Sequence, residues 1–590
     1  MMRKMRPQNF TAIRLVPDIR LRREFFGGLV YDKRNGNILE VDRGAFQFLR
    51  LIKDRALDPN DIIAFLVQNN ITKKFDKSID ETLQKLLELK IIEKNNDSSS
   101  SPISIAQDPI KINHESWLSA PETVHWAVTY RCQESCPDCY ARRFSFIKDE
   151  LDTHHALKLI DKIAHWDVFQ LAIGGGEPFI REDLPHLVQY AANRGLSVHI
   201  TTAKLDIPAH LLESLCPSIK NLQLGIQPDA LLGTHSTKSI QQIQNLFTTT
   251  QRLGVTPGAN IFLTKSAIEQ LENLIKILIG IGFNRLILLR YKPPQSVKRW
   301  RVENPDIEQM RGLPEKINKI VRENPSLNIR VDCALSFVQR HLPKELATKL
   351  GIKGCVAADR ILALAPDGSA YPCSQLVHPT FLAGNLVESE AELLWNQSRI
   401  LRKYRSFRTK KAFTHSWCGF CQAKDNCGGC RVFASDGLGG DPGCPEPLLP
   451  PLTQLGNIGR SLDLTEYLKN HHTISVKEYM DRYRVGQKKA IKELNVSPHT
   501  VSTTGKSIRK KRDACQHIEE NIVLEVQRII GFTKARVPYV PYEQVSEWIE
   551  SPAYLKDYPE WIRQQINREK KKREGNNENS NYTQRVSSRP

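Results

Sequence analysis

No run of apolar residues in this 590-residue chain reaches the ~18 needed to span a bilayer. The opening stretch, Met1-Met2-Arg3-Lys4-Met5-Arg6-Pro7, is basic but has no apolar signal core behind it, so a cytoplasmic protein is expected. Acidic residues are in short supply: 65 stand against 84 lysines and arginines, a formal net charge of +19. That excess favours an anionic partner, whether an acidic peptide, a nucleic acid or nothing specific, and charge alone decides none of these. Apolar content of 40% and charged content of 25% are those of a soluble globular protein, and the length leaves room for roughly three or four domains. Cysteine, by contrast, is plentiful. The thirteen present are clustered, and in a reducing compartment clustering points to metal or redox chemistry rather than disulfides.

The chain is organised around Cys132-Gln133-Glu134-Ser135-Cys136-Pro137-Asp138-Cys139-Tyr140. It follows an alternating apolar run, 124–129, that reads as a buried strand. Thiolates spaced C-x3-C-x2-C on a strand-end loop can hold three irons of a cubane. A cluster normally takes four thiolates, so the fourth iron is left open to chelate a ligand. A second strand, 169–173, runs straight into Gly174-Gly175-Gly176-Glu177-Pro178. Glycines there admit close backbone approach, and Glu177 can accept from a ligand's ammonium group. Taken singly, the two motifs also read as a structural metal loop and a turn. In this order, on successive strands, they describe a reactive centre.

The pair resembles the radical S-adenosylmethionine (radical SAM) superfamily. The resemblance implies that Cys132, Cys136 and Cys139 ligate a 4Fe–4S cluster whose open iron chelates the methionine part of SAM, and that Gly175, Gly176 and Glu177 hold the SAM amino group. Downstream, apolar runs at 196–200, 222–226, 260–263 and 286–289 alternate with helical patterns such as 266–278, which predicts α/β with a parallel sheet. The superfamily's partial (β/α)6 barrel fits that pattern. Ligands in such barrels collect at strand C-termini, where the chain places Thr201-Thr202, Gln227 and Arg290-Tyr291-Lys292-Pro293-Pro294. Similar enzymes carry Ser or Asp near the fourth strand end, toward the SAM ribose. Gln227 stands in that place here, with Asn260 as a further polar contact and Tyr140 as a platform for the adenine. Arg290 and Lys292 either face an anionic group or form a solvated pair.

A second cysteine set follows: Cys355 and Cys373, then Cys418-x2-Cys421-x5-Cys427-x2-Cys430, then Cys444. Ala365-Pro366-Asp367-Gly368 signals a hairpin turn, and a helix is expected over 388–404. Paired C-x2-C spacings also make tetrahedral zinc sites, so the residues alone leave iron and zinc both open. The block resembles the SPASM domain, which carries auxiliary 4Fe–4S clusters in peptide-modifying enzymes. Gly384-Asn385 and Cys427-Gly428-Gly429-Cys430-Arg431 share in the resemblance. By that resemblance Cys418, Cys421, Cys427 and Cys444 hold one cluster, and Cys355, Cys373 and Cys430 the other. The sequence departs from the family twice: the last internal gap is two residues rather than three, and no cysteine lies between Cys355 and Cys373. The second cluster then either keeps an open iron, able to bind substrate, or borrows Cys333, which otherwise reads as a core residue. Cys216 and Cys515 read as structural thiols.

Ahead of the barrel, residues 10–95 outline a winged-helix-like α+β domain. The stretch around Gly27-Gly28, the turn at Asn35-Gly36-Asn37 and the run 38–41 predict a three-stranded sheet, with helical patterns at 44–52, 61–68 and 79–89. Phe26-Gly27-Gly28-Leu29-Val30-Tyr31-Asp32 resembles the PqqD-like peptide-recognition element of ribosomal peptide maturases. This implies a leader peptide adding as a strand to the sheet edge beside the third helix. A DNA-binding or scaffolding winged helix is the alternative. Residues 96–120, with Ser98-Ser99-Ser100-Ser101-Pro102, read as a linker, 121–335 as the radical SAM core and 350–450 as the SPASM domain. A basic helical extension is expected over 460–560. Its capping box from Ser475 to Glu478, glycine turn at Val485-Gly486 and helical pattern 487–494 outline a helix-turn-helix. Lys488, Lys489 and Lys492 there admit nucleic acid as a partner. Residues 568–590 read as a disordered tail by composition.

These readings together imply a radical SAM enzyme acting on a ribosomally synthesised precursor peptide. Hydrogen abstraction by a 5′-deoxyadenosyl radical would precede oxidative cross-linking, as a thioether or a carbon–carbon bond. The implied cofactors are SAM and 4Fe–4S clusters, one SAM-binding and up to two auxiliary. The implied partners are the peptide leader, through residues 10–95, and a low-potential electron donor such as flavodoxin or ferredoxin. Quinone-cofactor or sulfatase-type maturation is one alternative, and a nucleic-acid-binding regulator with structural metal is another. No side chain stands out as a catalytic acid or base.

Overall fold

The computed structural model describes residues 12–53, 56, 83–95, 116–134, 136–144, 146–233, 236–292, 294, 297–414, 417–421, 423–434, 441 and 444. The helical pattern at 61–68, the serine-rich part of the linker, Cys515, the helix-turn-helix outline and the tail lie outside them. The chain divides into two units. One comprises Met1–Val124 with Ile160–Leu171 and Tyr190–Ser197, and the other His125–Leu159, Ala172–Gln189 and Val198–Pro590. Among the described residues no helix is long and apolar enough to cross a membrane.

In the first unit, β1 (Ala12–Leu15), β2 (Ile19–Glu24), β3 (Gly27–Asp32), β4 (Asn37–Asp42) and β5 (Ile92–Asn95) form two antiparallel sheets, β2-β3-β4 and β1-β5. The three-stranded sheet is the one the sequence predicts. The β1-β5 pair is not foreseen, because its strands are four residues each and lie about eighty residues apart. The Gly27-Gly28 step has a steric cause. A Cβ on Gly27, at φ +149°, would sit 2.3 Å from the Val41 carbonyl oxygen, and one on Gly28 would lie 2.0 Å from the Phe46 ring. Only glycine lets the helix Arg43–Leu51 pack this closely on β3. Asp42 caps that helix by accepting from the Ala45 N–H at 2.8 Å. Beneath it, Ile13, Val30, Leu49 and Ile52 pack with Leu86, Ile91 and Ile92.

Arg22 ties the sheet to its surroundings. Its guanidinium pairs with Glu24 at 2.8 Å, donates to the carbonyls of Ala120, Pro121 and Asp167, and lies 4.6 Å from the Phe169 ring centroid. The residues just ahead of the barrel are therefore packed rather than free linker: Leu118 and Ala120 are buried, and Ser119 donates twice to Glu24.

The other sheet holds β6 (Thr123–Thr129), β7 (Gln170–Gly175), β8 (Ser197–Thr202), β9 (Ile219–Ile226), β10 (Gly258–Leu263), β11 (Arg285–Arg290), β12 (Asn328–Val331), β13 (Ile361–Leu364), β14 (Ser369–Tyr371) and β15 (Gly384–Asn385). Its order is β12-β11-β10-β9-β8-β7-β6-β13-β14-β15, with parallel pairing from β8 through β12. All six strands expected of the partial barrel are present. β12 extends the sheet on one side, and the β13–β14 hairpin, turning at Gly368 (φ +83°), extends it on the other. Two helices predicted as continuous are each split in two. The first becomes Lys265–Glu269 and Leu271–Ile281, the second Ala391–Gln397 and Arg399–Arg405, where Ser398 caps the new start. Alternation along the strands buries Val124, Trp126, Ile200, Leu222 and Ile261 on one face. His125, His199, Asn221 and Asn260 fall on the other.

The Arg22–Glu24 pair is desolvated, since burial pushes Arg22 down and Glu24 up against their mutual attraction. Glu24→Ala, which strands the buried guanidinium, should destabilise the first unit by about 3–5 kcal/mol. Arg22→Met with Glu24→Leu should recover most of that loss. Hydrogen exchange of β2 and β3 amides measures both.

Candidate functional site

The C-terminal ends of β6 and β7 are bolted together by their backbones. The Gly176 N–H donates to the Thr129 carbonyl at 2.7 Å and the Glu177 N–H to the Arg131 carbonyl at 2.9 Å. Added Cβ atoms would lie 2.2 Å from Thr129 O at Gly175 (φ +122°) and 2.1 Å from Arg131 O at Gly176. The glycines therefore serve first to bring the two loops together, while Gly174 has open space beside it. Thr129 hydrogen-bonds Glu150, which also pairs with Arg131 at 3.0 Å. From this joint the cysteine loop departs, with Cys132 exposed and Cys136 and Cys139 half-buried.

Glu177 is 2% exposed and already engaged. It accepts from the Thr202 hydroxyl at 2.8 Å, the Phe179 N–H at 3.2 Å and the Ala203 N–H at 3.3 Å. Burial raises its pKa above the ordinary carboxylate value against those three bonds. Gln227, after β9, and Asn260, on β10, each carry a buried side-chain oxygen with no hydrogen-bond partner. Such an orphan costs about 1–3 kcal/mol unless something donates to it, so both positions suit a polar ligand. Tyr140 is placed differently: its ring meets Phe144 edge-on at 6.0 Å and its hydroxyl hydrogen-bonds Gln375, on the side of the second cysteine set.

Sequence reasoning missed Asp138, between the second and third cysteines. Its carboxylate, 2% exposed, accepts from the Tyr291 hydroxyl at 2.7 Å and from Arg299 at 2.9 and 3.0 Å. Arg299 also reaches Asp229 at 3.0 Å, and Tyr291 stacks on Trp300. A carboxylate inside a C-x2-C step is the available signal, but its partners lie over 150 residues away. Arg290 and Lys292 are neither solvated nor aimed at a ligand. Arg290 pairs with Asp441 at 2.5 and 3.1 Å and Lys292 with Asp332, and both cations are buried.

The second cysteine set is gathered by backbone donors. Sulfurs of Cys418, Cys421 and Cys427 accept from the N–H groups of Asp441, Ala423 and Gly429 at 3.3–3.4 Å. The Cys355 N–H donates to the Cys427 carbonyl, and the Cys430 N–H to Asp441 at 2.9 Å. Cys444 donates its N–H to the Asp441 carbonyl. Two groups of thiols interact electrostatically: Cys418, Cys427 and Cys421 in one, Cys355, Cys373 and Cys430 in the other. Burial pushes Cys373, Cys418 and Cys427 up to about 12. Ionised, they need the positive charge that bound iron brings. Among the described residues no three Cys, His, Asp or Glu side chains converge to hold a single metal ion. Soft thiolate donors in this number suit an iron–sulfur cluster.

Residues 126–229 match the model of the Radical SAM superfamily, and residues 355–428 the SPASM iron–sulfur cluster-binding domain. The chain is a radical SAM enzyme with a SPASM domain. Its cofactors are therefore SAM and 4Fe–4S clusters. It is 27% identical over 348 residues to the mycofactocin maturase MftC of Mycolicibacterium smegmatis, covering 56% of this chain and 84% of that protein. It is 22% identical over 339 residues to the AdoMet-dependent heme synthase of Methanosarcina barkeri, covering 54% and 93%. In fold it is similar to Streptococcus suis SuiB bound to precursor peptide SuiA, with a TM-score of 0.53 and 21% identity over 73% of this chain and 98% of that one.

Gly176→Ala, with no room for its methyl, should abolish SAM-dependent release of 5′-deoxyadenosine while leaving the auxiliary iron signals in place. Arg299→Ala, which strips a buried carboxylate of its cation, should slow that release at least about tenfold, equivalent to about 1.4 kcal/mol. Single-turnover assays by liquid chromatography read both.

Proposed function

We propose that this enzyme modifies a ribosomally made precursor peptide, binding its leader through residues 10–95 and reacting at a C–H bond near the ends of β6 and β7. Cys132, Cys136 and Cys139 would hold the SAM-binding cluster, and Glu177, fixed by Thr202, would accept from the SAM ammonium. Gln227 and Asn260 would take donors from the ligand's hydroxyls. Cys418, Cys421, Cys427 and Cys444 would hold one auxiliary cluster, and Cys355, Cys373 and Cys430 the next. When bound, these groups supply a 5′-deoxyadenosyl radical at one site and a one-electron acceptor at the other. A thioether or carbon–carbon cross-link removes two hydrogens, one as an atom and one as a proton plus an electron, which matches that pair of functions. A flavodoxin or ferredoxin would supply the low-potential electron.

The observation that carries the peptide as substrate is the edge of β4. Among the described strands it pairs only with β3, and four of its six residues are exposed. An extended segment needs such an edge to add as a strand, with the main chain giving affinity. The likeness to a maturase over 348 residues supports the same reading.

Of two adjacent strand residues, one turns its N–H toward the open edge. Leu39→Pro and Glu40→Pro should therefore differ. The variant whose lost N–H faced outward should bind a labelled candidate leader peptide at least about tenfold more weakly, the loss of roughly one to two hydrogen bonds. Its peptide-independent SAM cleavage should be unchanged. Equal leader affinity in both variants and the parent, by fluorescence anisotropy, would remove the edge from the proposal.

A further inference from the structure

We propose that Arg285, Gln223 and His199 form a carboxylate-binding subsite on the inner face of the barrel, well below the rim that carries Glu177, and that it anchors a carboxylate of the substrate peptide. This rests on the peptide-substrate reading and adds to it a group the enzyme recognises.

The three residues stand close together on neighbouring strands. His199 on β8 is paired with Asn221 on β9, and Gln223, two residues on and so on the same face, is paired with Gly258 on β10. Ala259 is paired with Leu286, which sets Arg285 of β11 beside Gly258. A Cβ on Gly258 would lie 2.3 Å from the Gln223 Oε1. Glycine there lets the Gln223 amide reach over β10, whose other neighbour is β11. The face is open. His125 and Ala127 on β6, Thr201 on β8, and Ile287 and Leu289 on β11 keep some exposure, while the residues alternating with them are buried.

Gln223 is 6% exposed. Its Oε1 accepts from the Asn221 amide at 2.9 Å, whereas its Nε2, the Asn221 Oδ1 and the His199 Nε2 have no hydrogen-bond partner. Arg285, half-buried, donates to the Thr256 carbonyl just ahead of β10, and among the described residues no carboxylate acts on it. The charge that does is another cation, Arg330. Burial, then Arg285, His125 and Lys220, push His199 down to about 4, and burial does the same to His125. This part of the face therefore gathers cations and neutral donors without an acid. Water can satisfy an amide or an imidazole, but it leaves a half-buried guanidinium without a counter-charge. A carboxylate does both, pairing with the guanidinium and accepting from the free amide N–H.

Depth decides whose carboxylate it is. At about 3.3 Å per strand residue, His199 lies ~10 Å below Thr202, the partner of Glu177, and Gln223 ~13 Å below Gln227. SAM carries its carboxylate on the same carbon as its ammonium, so a SAM held by Glu177 does not reach the subsite. A peptide does. Roughly three or four extended residues cover that depth, and the subsite then fixes which residue, counted from the carboxylate, stands at the rim.

The test uses the full chain, reconstituted anaerobically with SAM and left unreduced so that nothing turns over, and reads affinity by calorimetry. The probes are three acetylated pentapeptides of one apolar sequence. One ends in a free carboxylate, one in a carboxamide, and one in a carboxamide with aspartate at the penultimate position. At least one carboxylate peptide should bind about tenfold or more tightly than the neutral one, as a charge-assisted pair requires. Which of them does so tells a chain terminus from a side chain as the source. Arg285→Gln should bring that ratio to about one with little change for the neutral peptide, and Arg285→Lys should keep part of it. Lys276→Gln, on an exposed helix surface, should keep all of it. Iron content and the thermal midpoint show whether Arg285→Gln is folded; where it is not, Gln223→Leu, which removes only an uncharged donor, should lower the ratio severalfold. Three peptides of equal affinity, no binding of any at millimolar concentration, or a ratio that survives these substitutions would overturn the proposal and leave the face holding water only. Leader binding by anisotropy on the same protein separates the two readings. A leader bound without carboxylate preference overturns the subsite alone, and carboxylate preference without leader binding overturns the β4 edge alone.

Discussion

Three consecutive residues at the end of β11 hold the three cysteine-bearing segments in place. Arg290 pairs with Asp441 in the last cysteine loop, Tyr291 donates to Asp138 in the first, and Lys292 pairs with Asp332 beside Cys333. All three side chains of the strand end are buried. Burying a cation is costly unless its partner is close and well oriented, and losing one partner of such a pair typically costs about 3–5 kcal/mol. The three contacts therefore act as registration pins. Strand periodicity explains how one short stretch serves separate loops: residues 290 and 292 share a face, where both cations lie over Phe433, and 291 takes the opposite one.

The loops need pins because thiols organise nothing by themselves. A protonated cysteine is a weak hydrogen-bonding group, and the loops around these have few apolar side chains to bury. Shape comes instead from glycine and backbone. Gly176 lets two strand ends touch, while the left-handed Gly428 and Gly429 turn the chain between Cys427 and Cys430. A Cβ on Gly429 would lie 3.0 Å from the Cys418 sulfur. That closeness gives a steric reason for the two glycines between the last cysteines.

Much of this was legible in the sequence. The strands of the barrel announce themselves by alternating apolar residues, and the cysteine spacings state their chemistry without any fold. The boundaries moved by a residue or two where polar strand ends, such as Thr202 and Arg290, continue the ladder beyond the apolar run. What was not legible is everything carried by distant pairing. Asp138 and Arg299 are 161 positions apart and Arg290 and Asp441 are 151 apart, so no local pattern connects them. For the same reason Arg290 and Lys292 read from sequence as ligand-facing or solvated, whereas both are buried and paired with carboxylates. The role of Tyr140 was drawn from its neighbour Cys139. Its hydroxyl contact with Gln375, more than two hundred residues on, is likewise beyond any local pattern.

The charges around the two kinds of thiol set differ in a way that bears on electron flow. Near Cys132 and Cys136 stand Glu134 and Glu177, with Arg142 acting on Cys136. Near the auxiliary thiols stand Lys292, Arg290 and Arg431, three buried cations against the two carboxylates Asp332 and Asp441. Adding an electron makes any cluster more negative, so cations at a few ångströms in a low-dielectric interior favour the reduced form and carboxylates oppose it. A cluster held at the first site would be made harder to reduce, and so more strongly reducing, by those carboxylates. One held by the auxiliary thiols would be biased by the cations to take an electron up. The pins of β11 thus set charge as well as position, because the side chains that register the loops are also the cations beside the sulfurs.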